Sequence, residues 1–327
     1  MINGPHFDLS LLKTDKLPTL PGIAIKLLEK VQDNDASLRD IADILAIDPP
    51  LSAEILKLIN SPFYGLSVKI TSVFHAVSLL GISTVKNLAL SFSLIKSFQA
   101  SNGNQLDYSR FWRNSLTAAV TAKILMERIQ RSLAEDAFFL GLLHDIGILV
   151  IDQHFPRQPD LVAHYNTNNG SAGCEVERQI LGFDHMAIGG HLAESWGLPA
   201  TFSTPIGFHH CPENLPHDDS QVVLFTKILH LASLFSELYA GNDSALRLGK
   251  IEYYTEAYGL SEQINVDEIA ESVVEQVHHI FPVFQIKAAS AEQYFEILEA
   301  ARKELIHVSQ DRSEEHTSEL QSLLIIS

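Results

Sequence analysis

Cysteine is nearly absent. The 327-residue chain holds two, Cys174 and Cys211, and no Cys-x-x-Cys pair. A disulfide framework and a thiolate zinc site are thereby excluded, and a reducing cytoplasm is the expected setting. Cations are scarce as well: 23 Lys and Arg stand against 40 Asp and Glu, for a formal charge of −17. Such a surface repels a phosphate backbone and has little to neutralise one, which excludes general nucleic-acid binding. No run of about 18 apolar residues occurs, and Met1 to Leu12 lacks a basic stretch followed by an apolar one. Neither a membrane span nor a secretory leader is expected. Walker loops and GxGxxG fingerprints are missing too, so no glycine cradle for phosphate is indicated.

What the chain has is helical periodicity almost everywhere. Leu20, Ile23, Ala24, Leu27, Leu28 and Val31 form one apolar stripe, which marks a first amphipathic helix. Ser37 with Asp40 three residues on reads as a capping box ahead of Leu38, Ile41, Ile44 and Leu45, and Pro49-Pro50 opens a third helix. Two more follow, Ser72 to Leu80 stopped by Gly81, and Ser83 to about Phe98. The first hundred residues therefore predict a five-helix unit. Tyr108 to Ile129 predicts one long helix with a small-residue face suited to close packing, and Ser132 with Glu135 reads as the cap of a helix running into His144-Asp145-Ile146-Gly147. Later helices are expected from Asp184 to Gly197, Val222 to Leu238, Val266 to Ile280 and Ala291 to about Ile306. The fold class that follows is all-α. Phe138-Phe139 and Tyr253-Tyr254 read as core or interface aromatics, because no basic residues interleave them.

Histidine supplies the candidate chemistry. His144 and Asp145 adjoin at a helix end, and His185, His209 and His210 each sit near a helix terminus or turn. Imidazoles and a carboxylate brought together from several helices can hold one or two divalent metals. A satisfied polar cluster inside a bundle is the alternative.

At this point the chain resembles a known family. Leu17-Pro18-Thr19-Leu20-Pro21, Asp48-Pro49-Pro50-Leu51, Asn60-Ser61-Pro62-Phe63-Tyr64-Gly65, Ala76-Val77 and Leu80-Gly81 are similar to the successive signatures of an HDOD domain. So are Phe111-Trp112, Gly141 to Gly147, Leu181-Gly182-Phe183-Asp184-His185 and Trp196-Gly197-Leu198-Pro199. The resemblance covers roughly residues 12 to 212. It implies a bacterial regulatory module on an HD-like helical bundle, related to HD and HD-GYP metal phosphohydrolases. The implied organisation is an N-terminal helical subdomain over 12–100, an HD-like part over 108–212 and a C-terminal helical extension over 213–308 that completes the bundle. The stretch Arg312 to Ser322 resembles a translated sequencing-library adapter, so 309–327 is read as a non-native tail.

Departures from the HD pattern set the functional expectation. A histidine should open the ligand set on the long helix, and Asn114 stands there; a closing aspartate should lie on the helix after the paired histidines, and Ser233 stands there. Ile148 replaces the lysine common in phosphodiesterase relatives, and no Gly-Tyr-Pro follows His209-His210. Activating water and stabilising phosphoryl charge need a fully ligated metal. A non-catalytic signal-transduction module is therefore expected, acting on a signalling protein or by binding a nucleotide or cyclic dinucleotide. His144, Asp145, His185, His209 and His210 would form a residual site for a divalent ion such as Fe, Mn, Zn or Mg. The alternative is a metal-dependent phosphohydrolase or phosphodiesterase.

Overall fold

The structure, a computed structural model, describes residues 20–32, 36–98, 106–155, 160–161, 165, 171–216, 219–240, 243–287 and 290–307. The expected non-native tail and the Leu17-Pro18-Thr19 signature lie outside them. Fifteen α-helices, two 3-10 turns and no strand are delimited among the described residues. The first five are α1 (Gly22–Gln32), α2 (Leu38–Ala46), α3 (Pro49–Ile59), α4 (Val73–Leu80) and α5 (Ile82–Ser97). Their starts follow local chemistry. The Ser37 hydroxyl accepts from Asp40 N while Asp40 accepts from Ser37 N, the reciprocal cap that the spacing predicts. Asp48 and Ser72 accept from Leu51 N and His75 N in the same manner. Between α3 and α4, Asn60 both donates to Ile70 O and accepts from Ile70 N, at 2.8 Å each, and so clamps the loop that carries Phe63 and Tyr64.

The remaining helices are α6 (Tyr108–Ile129), α7 (Ala134–Leu143), α8 (Ile146–His154), α9 (Ser171–Leu181), α10 (His185–Ser195), α11 (Ala200–Phe208), α12 (Ser220–Leu238), α13 (Ser244–Ala257), α14 (Val266–Ile280) and α15 (291–307). The expected Ser132 cap is not formed. Residues Arg131–Leu133 instead make a 3-10 turn, and Glu135 turns to a different partner. Its carboxylate takes Lys123 at 2.6 Å and the Tyr64 hydroxyl at 3.0 Å, while the Lys123 ammonium lies over the Tyr64 and Phe63 rings. Lys123 is buried, and a buried ammonium needs such a partner. This cluster joins the five-helix unit to α6 and α7.

α6 runs through the core, flanked by α7, α12 and α14. Its small face, Ser115, Ala118, Ala119 and Ala122, is fully buried and admits α7 at close range. A β-carbon on Gly141 of α7 would lie 2.6 Å from Ala119 Cα. α12 is the one helix among the described residues long and apolar enough to cross a membrane, yet 78% of that apolar window is buried inside the protein. It is a core helix. A cavity of about 540 Å³ opens where α3 and α5 meet α6 and residues 283–286, lined by Phe92, Phe98, Trp112 and Phe284 among others.

Candidate metal centre

Three chain segments bring the candidate residues together. His144 and Asp145 form the turn between α7 and α8, His185 opens α10, and His209-His210 follow α11. Each segment is fixed locally. Asp184 caps α10 by accepting from Ala187 N at 2.9 Å, and Arg178 of α9 holds its other oxygen at 2.6 Å. α8 packs on α10, and α10 on α11. The contact between α8 and α10 is so close that a β-carbon on Gly147 would sit 2.0 Å from His185 O.

Asp145 lies at the middle. Its Oδ2 is 3.2 Å from His144 Nε2, and its Oδ1 is 3.3 Å from both His185 Nε2 and His209 Nε2. The donor atoms of Asp145, His185, His209 and His210 all fall within 4.8 Å of one another. The ring orientations are set from behind. His144 Nδ1 meets Gly141 O and His209 Nδ1 meets Ile206 O, both at 2.8 Å. A carbonyl only accepts, so both Nδ1 atoms carry hydrogen and both rings turn Nε2 toward Asp145.

This arrangement does not satisfy itself. The Nε2 atoms of His144, His185, His209 and His210 and the Oδ1 of Asp145 are buried and have no hydrogen-bond partner of acceptable geometry. Leaving one such atom unmet costs about 1–3 kcal/mol, and those of Asp145, His185, His209 and His210 lie within reach of one point. The donor set of Asp145, His185, His209 and His210 fits a cation, which would meet their four unpartnered atoms together. The charges agree. Burial alone would raise the Asp145 carboxyl, but His144, His185 and His209 outweigh it and hold Asp145 well below the usual carboxylate range. Burial pushes His209 down; it pushes His210 down further, with His209 and His185 adding to the effect. Burial would lower His185 as well, but Glu177, Cys174 and Asp145 outweigh it and hold that ring well above the usual imidazole range, so an ion at the centre takes the place of its Nε2 proton.

Three polar residues that the sequence did not single out border the centre. Glu177, fully buried on α9, accepts from His185 Nδ1 at 2.9 Å and from His185 N at 2.6 Å. The Tyr165 hydroxyl donates to the same carboxylate at 2.8 Å. Glu237 lies one turn beyond Ser233 on α12 and pairs with Arg247 at 2.7 Å. Both helices involved, α9 and α13, went unread: Ser171–Leu181 lies among polar residues, and Ser244–Ala257 starts without a side-chain cap. An acid inside a helix eight residues before His185 was the one available signal.

Glu237 carries a consequence for stability. Burial, against the pull of Arg247 and with Asp145 adding to it, pushes its carboxyl up from 4.5 to about 7. Across that window the folded chain keeps a proton that the unfolded chain releases, so stability falls as pH rises, by about 3 kcal/mol in all. Glu237→Gln is expected to flatten the slope. Denaturant unfolding at about pH 5 and about pH 8 checks this, and an equally steep slope in the variant would refute a protonated buried Glu237.

An all-α bundle with a histidine and aspartate centre where α7, α8, α10 and α11 meet defines the class as an HD-like helical protein. The HDOD domain model matches residues 17–212, and the chain belongs to that family. Among solved structures, a Shewanella amazonensis protein named as a candidate phosphohydrolase superposes with a TM-score of 0.67 at 25% identity, covering 86% of this chain and all of that one. An HDOD domain protein of unknown function from Geobacter sulfurreducens shares the fold at 23% identity and a TM-score of 0.58, over 90% of this chain and 93% of its own. An uncharacterised protein of Treponema pallidum (strain Nichols) is 25% identical over 206 residues, which are 63% of this chain and only 39% of that protein.

Proposed function

We propose that the chain is a non-catalytic signal-transduction module of the HDOD family that holds one divalent transition-metal ion and acts in the cytoplasm by binding a signalling protein or a nucleotide. The observation that carries this reading is the uneven set of donors around Asp145. Facing its Oδ1 are His185 and His209, with His210 beside them, enough for one ion; facing its Oδ2 is His144 alone. Asn114, half-buried on α6, and Ser233, buried on α12, offer neutral side chains where the HD pattern would supply an imidazole and a carboxylate.

An imidazole-rich set with one carboxylate favours Zn or Fe over Mg, which prefers all-oxygen ligands and keeps its waters. When bound, such an ion supplies Lewis acidity and lowers the pKa of a bound water. Here His144 Nδ1 and His209 Nδ1 hold the rings in the binding tautomer, and Asp145 contributes the negative charge. A second ion, needed to clamp both attacking and leaving oxygens of a phosphodiester, would find two protein donors. Protein loaded with Zn, Fe or Mn is therefore expected to leave cyclic dinucleotides and simple phosphodiesters intact. Turnover of about 1 per second or faster, an ordinary enzymatic rate, would overturn the reading.

The second reading, a metal-dependent phosphohydrolase, draws on the Shewanella structure and its name. It gains from Glu237, whose carboxyl titrates near neutral pH close enough to sense Asp145 and His144. The same turnover assay decides between the two.

A further inference from the structure

We propose that Glu177 is the positioning residue of the centre: its carboxylate fixes the proton of His185 on Nδ1 and so keeps Nε2 available to the cation. The inference rests on the metal reading above and adds a residue that the HD ligand pattern does not contain. Neither backbone carbonyl that orders the other rings serves His185. His144 and His209 lean on carbonyls three residues before them, whereas His185 opens α10 and has no preceding turn to lean on. Glu177 of α9 fills that role from outside the helix.

The geometry makes the carboxylate a three-way acceptor. It takes His185 N at 2.6 Å, His185 Nδ1 at 2.9 Å and the Tyr165 hydroxyl at 2.8 Å, with no exposed surface. Because one carboxylate grips the main-chain and ring nitrogens of one residue, it sets both the position of the first turn of α10 and the ring's rotation. The opposite ring nitrogen, Nε2, is then carried to 3.3 Å from Asp145 Oδ1 with no hydrogen-bond partner. A carboxylate behind a ligating imidazole also makes the ring a stronger donor. Cys174 Sγ stands 3.9 Å from the same Nδ1, a longer and weaker contact than the 2.9 Å one to Glu177.

Glu177→Gln loosens this control at constant shape. An amide can accept from His185 N through its oxygen, but its NH2 then faces Nδ1 and can donate to it. Because the oxygen that holds His185 N also lies 2.9 Å from Nδ1, the proton is no longer confined to Nδ1, and the tautomer with hydrogen on Nε2, which cannot ligate, gains population. The test uses the full chain with Zn alone as probe. Zn affinity is expected to fall about 10- to 100-fold in Glu177→Gln, to recover in part in Glu177→Asp, and to stay at the wild-type value in Cys174→Ser, with helical circular dichroism unchanged in all three. A second measurement does not depend on the variant folding: nitrogen-15 spectra of Zn-loaded wild type should show the His185 ring hydrogen on Nδ1 and the metal on Nε2. Zn bound through Nδ1, or Glu177→Gln binding Zn as tightly as wild type, overturns the inference and leaves the metal reading standing. Wild type that binds no Zn, Fe or Mn overturns both.

Discussion

Gly147→Ala is expected to destabilise the fold by about 3 kcal/mol or more and to abolish cation binding. The new β-carbon would meet His185 O at 2.0 Å, His185 C at 2.8 Å and Gly189 N at 3.0 Å. All three are backbone atoms, so no side chain can swing away, and overpacking of this kind lies at the costly end of its range. Relief requires α8 to move off α10. That motion separates Asp145, at the start of α8, from His185, at the start of α10, and so opens the centre. Gly22→Ala is the matched control, since nothing lies within 4 Å of its added carbon; it should leave both stability and binding unchanged. Thermal unfolding and Zn titration of the two variants check the pair. Gly147→Ala with wild-type Tm and Zn affinity would show that α8 and α10 are not packed as described.

Asp145→Asn is expected to weaken Zn binding at least 100-fold while leaving the helices intact. The substitution removes the one charge that approaches three imidazoles within 3.3 Å, and an amide nitrogen in place of one oxygen would donate toward lone pairs that must stay free for the ion. The effect is readable as lost stabilisation. At a Zn concentration 1,000 times the wild-type Kd, binding adds about 4.1 kcal/mol; a 100-fold weaker site under the same conditions adds about 1.4 kcal/mol. Denaturant unfolding with and without Zn separates these values. Equal stabilisation of variant and wild type would move the ion away from Asp145.

The fold was largely legible because its helices announce themselves locally. Ser37 with Asp40, Asp48 before Pro49, and Asn265 before Val266 place helix starts where the structure has them, and α6 and α14 match their predicted ends. Misreadings came where tertiary contacts outbid local ones. Glu135 abandons the Ser132 cap for Lys123 and Tyr64, residues 12 and 71 positions away in the chain. The first half of α8 is so uniformly apolar that it shows no period. The candidate site divides in the same way. His144, Asp145, His185, His209 and His210 were visible as residue types near helix ends, and the structure brings all five together. Glu177 and Glu237 were not, because an acidic side chain on a helix is ordinarily solvated, and only packing against α10 or α13 reveals that these two are buried.

The two glycines of the Gly141 to Gly147 motif acquire a physical reason as well. Gly141 lets α7 settle on the small face of α6, and Gly147 lets α8 touch α10. Between them stand His144 and Asp145. The motif is thus a pair of close-packing points that hold a ligand pair in place, whether or not hydrolysis takes place there.

Elemental analysis of the protein purified without added metal tests the central claim most directly. About one atom of Zn or Fe per chain, with negligible Mg and with loss of that atom in Asp145→Asn, is the predicted result. Two tightly held ions per chain would contradict it, because the Oδ2 side of Asp145, faced by His144 alone, would then hold an ion.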